Sequence, residues 1–199
     1  AAGRRRLRLP PDSRYIIYAP RGFPFGRWFG RRVLSGVVGG FMRLRQEQPD
    51  LHLVLSAVSD VAAVQPPGFP PLDQIDGVTL QGVVTPEQAW ECLAGADLAV
   101  VEGTSTLFDA AVLRTPVLMV PGPIYECALE GTWVNENGAG VVMRPGEVTP
   151  LSMARTFRAA LEPAGAAKRA SLLHELVGTG GRDHAVAAVL EVIAHKVPA

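Results

Sequence analysis

Cysteine is nearly absent. Two residues, Cys92 and Cys127, lie far apart in a chain of 199. That count excludes a disulfide scaffold and a cysteine-rich zinc module; free buried thiols in a reducing cytoplasm are the simplest account, so a cytoplasmic location is expected. Histidine is scarce too. His52, His174, His184 and His195 show no zinc-ligand spacing, so no metal site is expected. No apolar run approaches the roughly 18 residues of a membrane span. The opening stretch "AAGRRRLRLPPDSR" is basic without an apolar signal core, and residues 1–13 read as a tail or interdomain linker.

What is present describes one compact α/β domain over residues 14–199. Hydrophobic residues make up 48% and charged residues 19%, and a mean hydropathy of +0.18 fits strands buried on both faces. The zero net charge conceals an asymmetry. Residues 1–50 hold eleven arginines against Asp12, Glu47 and Asp50, while acids outnumber bases two to one in the remainder. The basic half suits phosphates or an anionic surface, or is simply solvated arginines along a helix. No nucleic-acid partner is expected.

Strand-like and helix-like stretches alternate. Strands are expected at 14–20, 51–57, 78–84, 97–103, 116–122 and 138–145. Between and after them fall helices at 28–48, from Thr85, at 105–114, at 149–162 and near 166–177 and 183–195. In the first helix Phe29, Val33, Val37, Phe41 and Leu44 recur at about one turn, and Gly36, Gly39 and Gly40 allow close packing on the sheet. Thr85 is placed to cap, with Pro86 at the first helical position and Glu87 in the first turn. Residues 64–77 read as an exposed proline-rich loop. The pattern predicts a Rossmann-like three-layer α/β/α fold with about six parallel strands. Ligands in such sheets bind beyond the strands' carboxyl ends.

One turn at those ends draws the eye: "VVEGTSTLFDAA", where a buried strand meets Gly103, Thr104, Ser105 and Thr106 before a helix. A helix N-terminus offers unpaired N–H groups and a partial positive charge to anions. Gly103 permits close approach, and three hydroxyls can donate to phosphate oxygens. The same residues fit a capping box, Thr106 with Asp109, that merely satisfies the helix's own amides.

The wider stretch "EGTSTLFDAAVLRTPVLMVP", followed by "NENGAGVVM", resembles the donor half of GT-B-fold glycosyltransferases. Lipid-A disaccharide synthase and the lipid-linked N-acetylglucosaminyltransferases are the likenesses; glycolipid galactosyltransferases share the Asn137-Gly138-Ala139-Gly140 stretch. The resemblance runs over most of 14–195 and is distinctive over 97–145. It implies a nucleotide-sugar substrate, UDP-linked, with no separate cofactor and no metal. It implies that the Gly103–Thr106 amides bind the diphosphate, and that Asp109, seven residues before Pro116, binds the ribose hydroxyls. Val84 and Thr85 inherit the base-binding loop. Glu126 is the candidate for the sugar hydroxyls, although the family's Glu-Gln or Asp-Gln pair is absent. In the first strand's exit loop, Arg21 would neutralise the leaving diphosphate and Gly22 would admit a close approach. Glu102 receives no catalytic role.

The same resemblance implies a missing amino-terminal acceptor domain, so the fragment is expected to bind nucleotide and transfer nothing. The aromatics Phe23, Phe25, Trp28 and Phe29 are read as packing against that domain. A membrane-peripheral location and a membrane-associated acceptor stay open. Among rivals, a dinucleotide dehydrogenase requires G-x-G-x-x-G after the first strand, and "YAPRGFPFG" does not fit. The nucleophile elbow G-x-S-x-G is also absent. A hydrolysing nucleotide-sugar epimerase and a non-catalytic nucleotide-binding or interaction module remain.

Overall fold

A computed structural model describes residues 2–19, 27–56 and 65–196. Among these, the chain runs α1 (Ala2–Arg6), β1 (Arg14–Tyr18), α2 (Arg27–Arg45), β2 (Leu51–Leu55), a 3-10 turn (Leu72–Gln74), β3 (Val78–Leu80) and α3 (Pro86–Ala94). It continues with β4 (Leu98–Val101), α4 (Ser105–Val112), β5 (Val117–Met119), α5 (Tyr125–Glu136) and β6 (Val141–Val142). A second 3-10 turn (Pro145–Glu147) leads to α6 (Pro150–Ala160), α7 (Pro163–Val177) and α8 (Gly181–Lys196). The six strands form one parallel sheet in the order β3-β2-β1-β4-β5-β6. Ile17 pairs with Val54 on one side and Ala99 on the other, which fixes β1 at the centre.

Strand residues alternate between two cores, as period-two geometry requires. On one face Ile16, Tyr18, Leu53, Leu55, Leu98 and Val100 pack with the predicted stripe Phe29, Val33, Val37, Phe41 and Leu44, all buried. On the other, Tyr15, Ile17, Val54, Ala99 and Val101 meet Leu107, Ala110 and Leu173. The three-layer architecture expected from the alternation is the one observed. The α2 glycines pack differently from expectation. A Cβ on Gly40 would meet Met153 Cβ at 2.7 Å, and one on Gly39 would meet Pro150 at 2.8 Å. They seat α6 against α2 rather than α2 against the sheet.

Two segments carry structure that apolar period did not announce. Within the stretch expected as a tail or interdomain linker, Ala2–Arg6 is helical, Gly3 is buried and Leu7 joins the second core. Arg4 holds this segment down. Its guanidinium donates to Ser13 O at 2.7 Å, Gly95 O at 3.0 Å and Asp97 Oδ2 at 3.0 Å. Placing a donor fork over three fixed acceptors turns a basic tail into a docked one. The second is α5, twelve residues that carry no apolar stripe and so gave no periodic signal. Gly138, at φ +61, ends the turn beyond it, a conformation glycine adopts without strain.

Candidate functional site

The strand order reverses direction between β1 and β4, and a crevice opens at such a switch point. Here it is a cleft of about 240 Å³ lined by Ala19 beyond β1, Ser56 beyond β2, Val84 before α3, Pro86 and Trp90 on α3, and Thr106 and Asp109 on α4. Its floor, Ile17 and Ala99, is apolar. Three of the sequence candidates, Val84, Thr106 and Asp109, therefore share one cavity although they span 26 positions of the chain. Thr85 adjoins them. It caps α3 in a reciprocal box with Gln88, accepting from Gln88 N and donating its own amide to Gln88 Oε1 at 3.2 Å. Pro86 and Glu87 stand in the first turn, as expected.

Asp109 does not act as a cap. Helix α4 begins at Ser105, its N-cap is Thr104, and no side chain closes the cap. The Thr106–Asp109 capping box is therefore not formed. Asp109 is instead half-buried on the cleft wall, where desolvation raises its carboxyl above the usual aspartate value; the Trp90 indole N–H partly offsets this by favouring the charged form.

The Gly103–Thr106 turn is strained and partly occupied. Gly103 sits at φ +120 and Thr104 at φ 55, ψ −139, a conformation that costs a threonine on the order of 1–3 kcal/mol. The Thr104 amide donates to Glu130 Oε2 on α5 at 2.5 Å. A Cβ on Gly103 would strike that same oxygen at 2.5 Å and Cys127 Sγ at 2.8 Å, so glycine is required on both counts. Thr104 Oγ1 is buried without a hydrogen-bond partner. Ser105 is exposed and Thr106 half-buried at the head of α4. One of the four candidate anion donors is thus already used by an internal carboxylate.

Beneath the turn, the Tyr18 hydroxyl donates to Glu102 Oε1 at 2.5 Å, with both side chains buried. Burial pushes the Tyr18 phenol well up, so it stays a donor. Glu102 is buried and holds the Tyr18 hydroxyl across the sheet. Glu126 is exposed in the first turn of α5 and does not line the cleft. Arg21 and Gly22 lie outside the described residues. Sequence reading missed Trp90, Glu130 and Tyr18. Trp90 and Glu130 act through contacts between elements, for which single-chain periodicity carries no signal. Tyr18 was hidden because it counts as an ordinary strand residue.

No protein-family model matches the sequence. Over 163 residues the chain is 25% identical to an uncharacterised glycosyltransferase of Methanopyrus kandleri, covering 81% of this chain and 42% of that protein. Its fold is similar to the calicheamicin glycosyltransferase CalG4, with TM-score 0.66 and 21% identity over 95% of this chain and 46% of that one. It is equally similar to the UDP-GlcNAc 2-epimerase of Neisseria meningitidis bound to UDP-GlcNAc, with TM-score 0.66 and 13% identity over 94% and 47%. The chain spans about half the length of these relatives. Its fold is the parallel Rossmann-like sheet found in GT-B glycosyltransferases and in these epimerases.

Proposed function

We propose that this domain binds the nucleoside diphosphate of a UDP-linked sugar and forms the donor half of a GT-B glycosyltransferase. The observation that carries the reading is the convergence of Asp109, Thr106 and Val84 on one cleft at the β1/β4 switch point. In this reading the Asp109 carboxylate accepts the ribose hydroxyls and backbone groups at Val84 and Thr85 meet the base edge. The turn from Gly103 and the head of α4 to Thr106 hold the diphosphate. Arg21 and Gly22 belong to the leaving-group side and Glu126 to the sugar. The identity of the nucleotide rests on the family resemblance and on the UDP-GlcNAc held by the Neisseria epimerase.

A cleft of about 240 Å³ is smaller than the about 300–1,000 Å³ of a complete small-molecule site. It suits the nucleoside, with the sugar and acceptor completed by a second domain. Helix α8 supports such a partner: Val186, Val189, Leu190, Val192 and Ile193 are each more than half exposed, an apolar surface that calls for cover. Alone, the chain binds and does not transfer. Calorimetric titration with UDP tests the binding: saturable heat from folded protein is expected, and none at millimolar nucleotide favours an interaction module. The epimerase reading draws on the equal likeness to the Neisseria enzyme. It is separated by incubating the protein with a UDP-sugar without acceptor, where epimerised sugar supports epimerase and intact donor supports transferase.

A further inference from the structure

We propose that the outer face of α2 at Trp28, Arg31 and Arg32 is a second binding site, one that takes a phosphorylated sugar. It shares no lining residue with the β1/β4 cleft and does not depend on the nucleotide reading. Trp28, Arg31, Arg32 and Ser35 recur at three- and four-residue spacing, so they share one side of the helix. The buried stripe Phe29, Val33, Val37, Phe41 and Leu44 takes the other. With Pro67 the four line a cavity of about 410 Å³, within the about 300–1,000 Å³ of small-molecule sites. Of the aromatics expected to meet a second domain, Phe29 lies in the first core while Trp28 is 68% exposed.

Arg32 is held from behind. Its Nε donates to Pro145 O at 2.8 Å and its Nη2 to Gly146 O at 2.5 Å, which leaves Nη1 to a ligand. The same guanidinium lies over the Trp28 ring, 5.6 Å from the centroid. Arg31 is exposed and takes no partner among the described residues. Arg4, Arg6, Arg45, Arg144 and Arg158 each face a carboxylate. Here none of the described lining residues is acidic, and Glu147, beside Gly146, is engaged by Arg144. Two guanidinia without counter-charge call for an anion; an apolar protein surface packed here would bury them unpaired. The indole narrows the ligand further. Its π-face is negative, so it turns away a phosphate and attracts the C–H groups of a ring. A sugar ring on Trp28 with its phosphate on Arg31 and Arg32 satisfies both halves, and Ser35 supplies a hydroxyl one turn on.

The test is calorimetric titration of the whole chain and its Trp28→Leu and Arg31→Gln variants with glucose 6-phosphate, glucose, inorganic phosphate and UDP. Co-sedimentation with phosphatidylglycerol vesicles runs alongside. Glucose 6-phosphate is expected to bind saturably, inorganic phosphate more weakly and glucose not at all. Arg31→Gln weakens glucose 6-phosphate about tenfold or more, Trp28→Leu lowers it to the level of inorganic phosphate, and neither variant changes UDP binding. Parental affinity for glucose 6-phosphate in either folded variant overturns the proposal. If Trp28→Leu does not fold, Arg31→Gln, a change at an exposed side chain, decides alone. A parent chain that ignores millimolar glucose 6-phosphate also overturns it, and Arg31-dependent sedimentation would then assign the face to a lipid surface. A parent that binds glucose 6-phosphate but not UDP supports this site and sinks the nucleotide reading of the cleft.

Discussion

At the residue scale, Asp109 separates ligand binding from folding. Its folded carboxyl titrates above the ordinary aspartate value because burial penalises the charge. Protonation therefore favours the native state: stability is greatest below the unfolded pKa and declines as pH rises through the raised folded one. In the nucleotide reading, binding follows the reverse course, since the ionised carboxylate accepts from ribose more strongly than the protonated acid. Asp109→Asn is expected to raise the melting temperature at pH 7 slightly. Asp109→Ala should weaken UDP binding by about 1–3 kcal/mol with little loss of stability. Thermal melts alongside titrations check both, and a large drop in melting temperature for either variant would return Asp109 to a structural role.

Glu130 is the residue that most constrains the phosphate reading. Its carboxylate occupies the Thr104 amide, where an anionic ligand would otherwise bond. Glu130→Ala leaves that amide without its partner and is expected to cost about 1.5–3 kcal/mol of stability, read by denaturant unfolding. Glu130→Gln keeps an acceptor and removes the charge. It should tighten UDP binding several-fold, with the gain fading as salt screens the charge. Unchanged affinity would mean that the diphosphate keeps clear of Thr104.

At the element scale, legibility followed apolar period. The stripe on α2 and the four-residue run of β4 were readable because each side chain's destination repeats in sequence. Thr85–Pro86–Glu87 was readable because capping is local chemistry. The ends of strands were less so: β3 and β6 are three and two residues long, shorter than their apolar runs, because edge pairing ends where the neighbouring strand does. Helix α1 was hidden for a different reason. Its docking depends on Arg4 finding acceptors at Ser13, Gly95 and Asp97, and the two latter lie some 90 residues away in sequence. Arg4→Ala is expected to cost about 2–3 kcal/mol through these part-buried bonds. A loss below about 0.5 kcal/mol by chemical denaturation would mean that these bonds do not hold α1 in place.

The candidate site divides along the same line. Val84, Thr106 and Asp109 could be nominated because strand–turn–helix grammar and the family pattern both point to carboxyl ends of strands. Glu126 was nominated by position alone, and it stands exposed away from the cleft. The occupant of the Thr104 amide could not be foreseen, because it depends on how α5 lies against α4.

For the molecule as a whole, two surfaces bear on the donor-half reading. The cleft holds about 240 Å³, and every residue of α8 at 181 and 183–193 is exposed. Among the described residues no helix is long and apolar enough to cross a membrane. The donor-half reading joins the two features, since a second domain would cover the helix and close the sugar end of the cleft. The most direct measurement is an amide chemical-shift titration of the isotope-labelled chain with UDP. The account predicts saturable shifts grouped at Val84–Thr85 and Gly103–Asp109, together with the Trp90 indole N–H. Shifts absent at millimolar UDP, or confined to residues remote from β1 and β4, would contradict it.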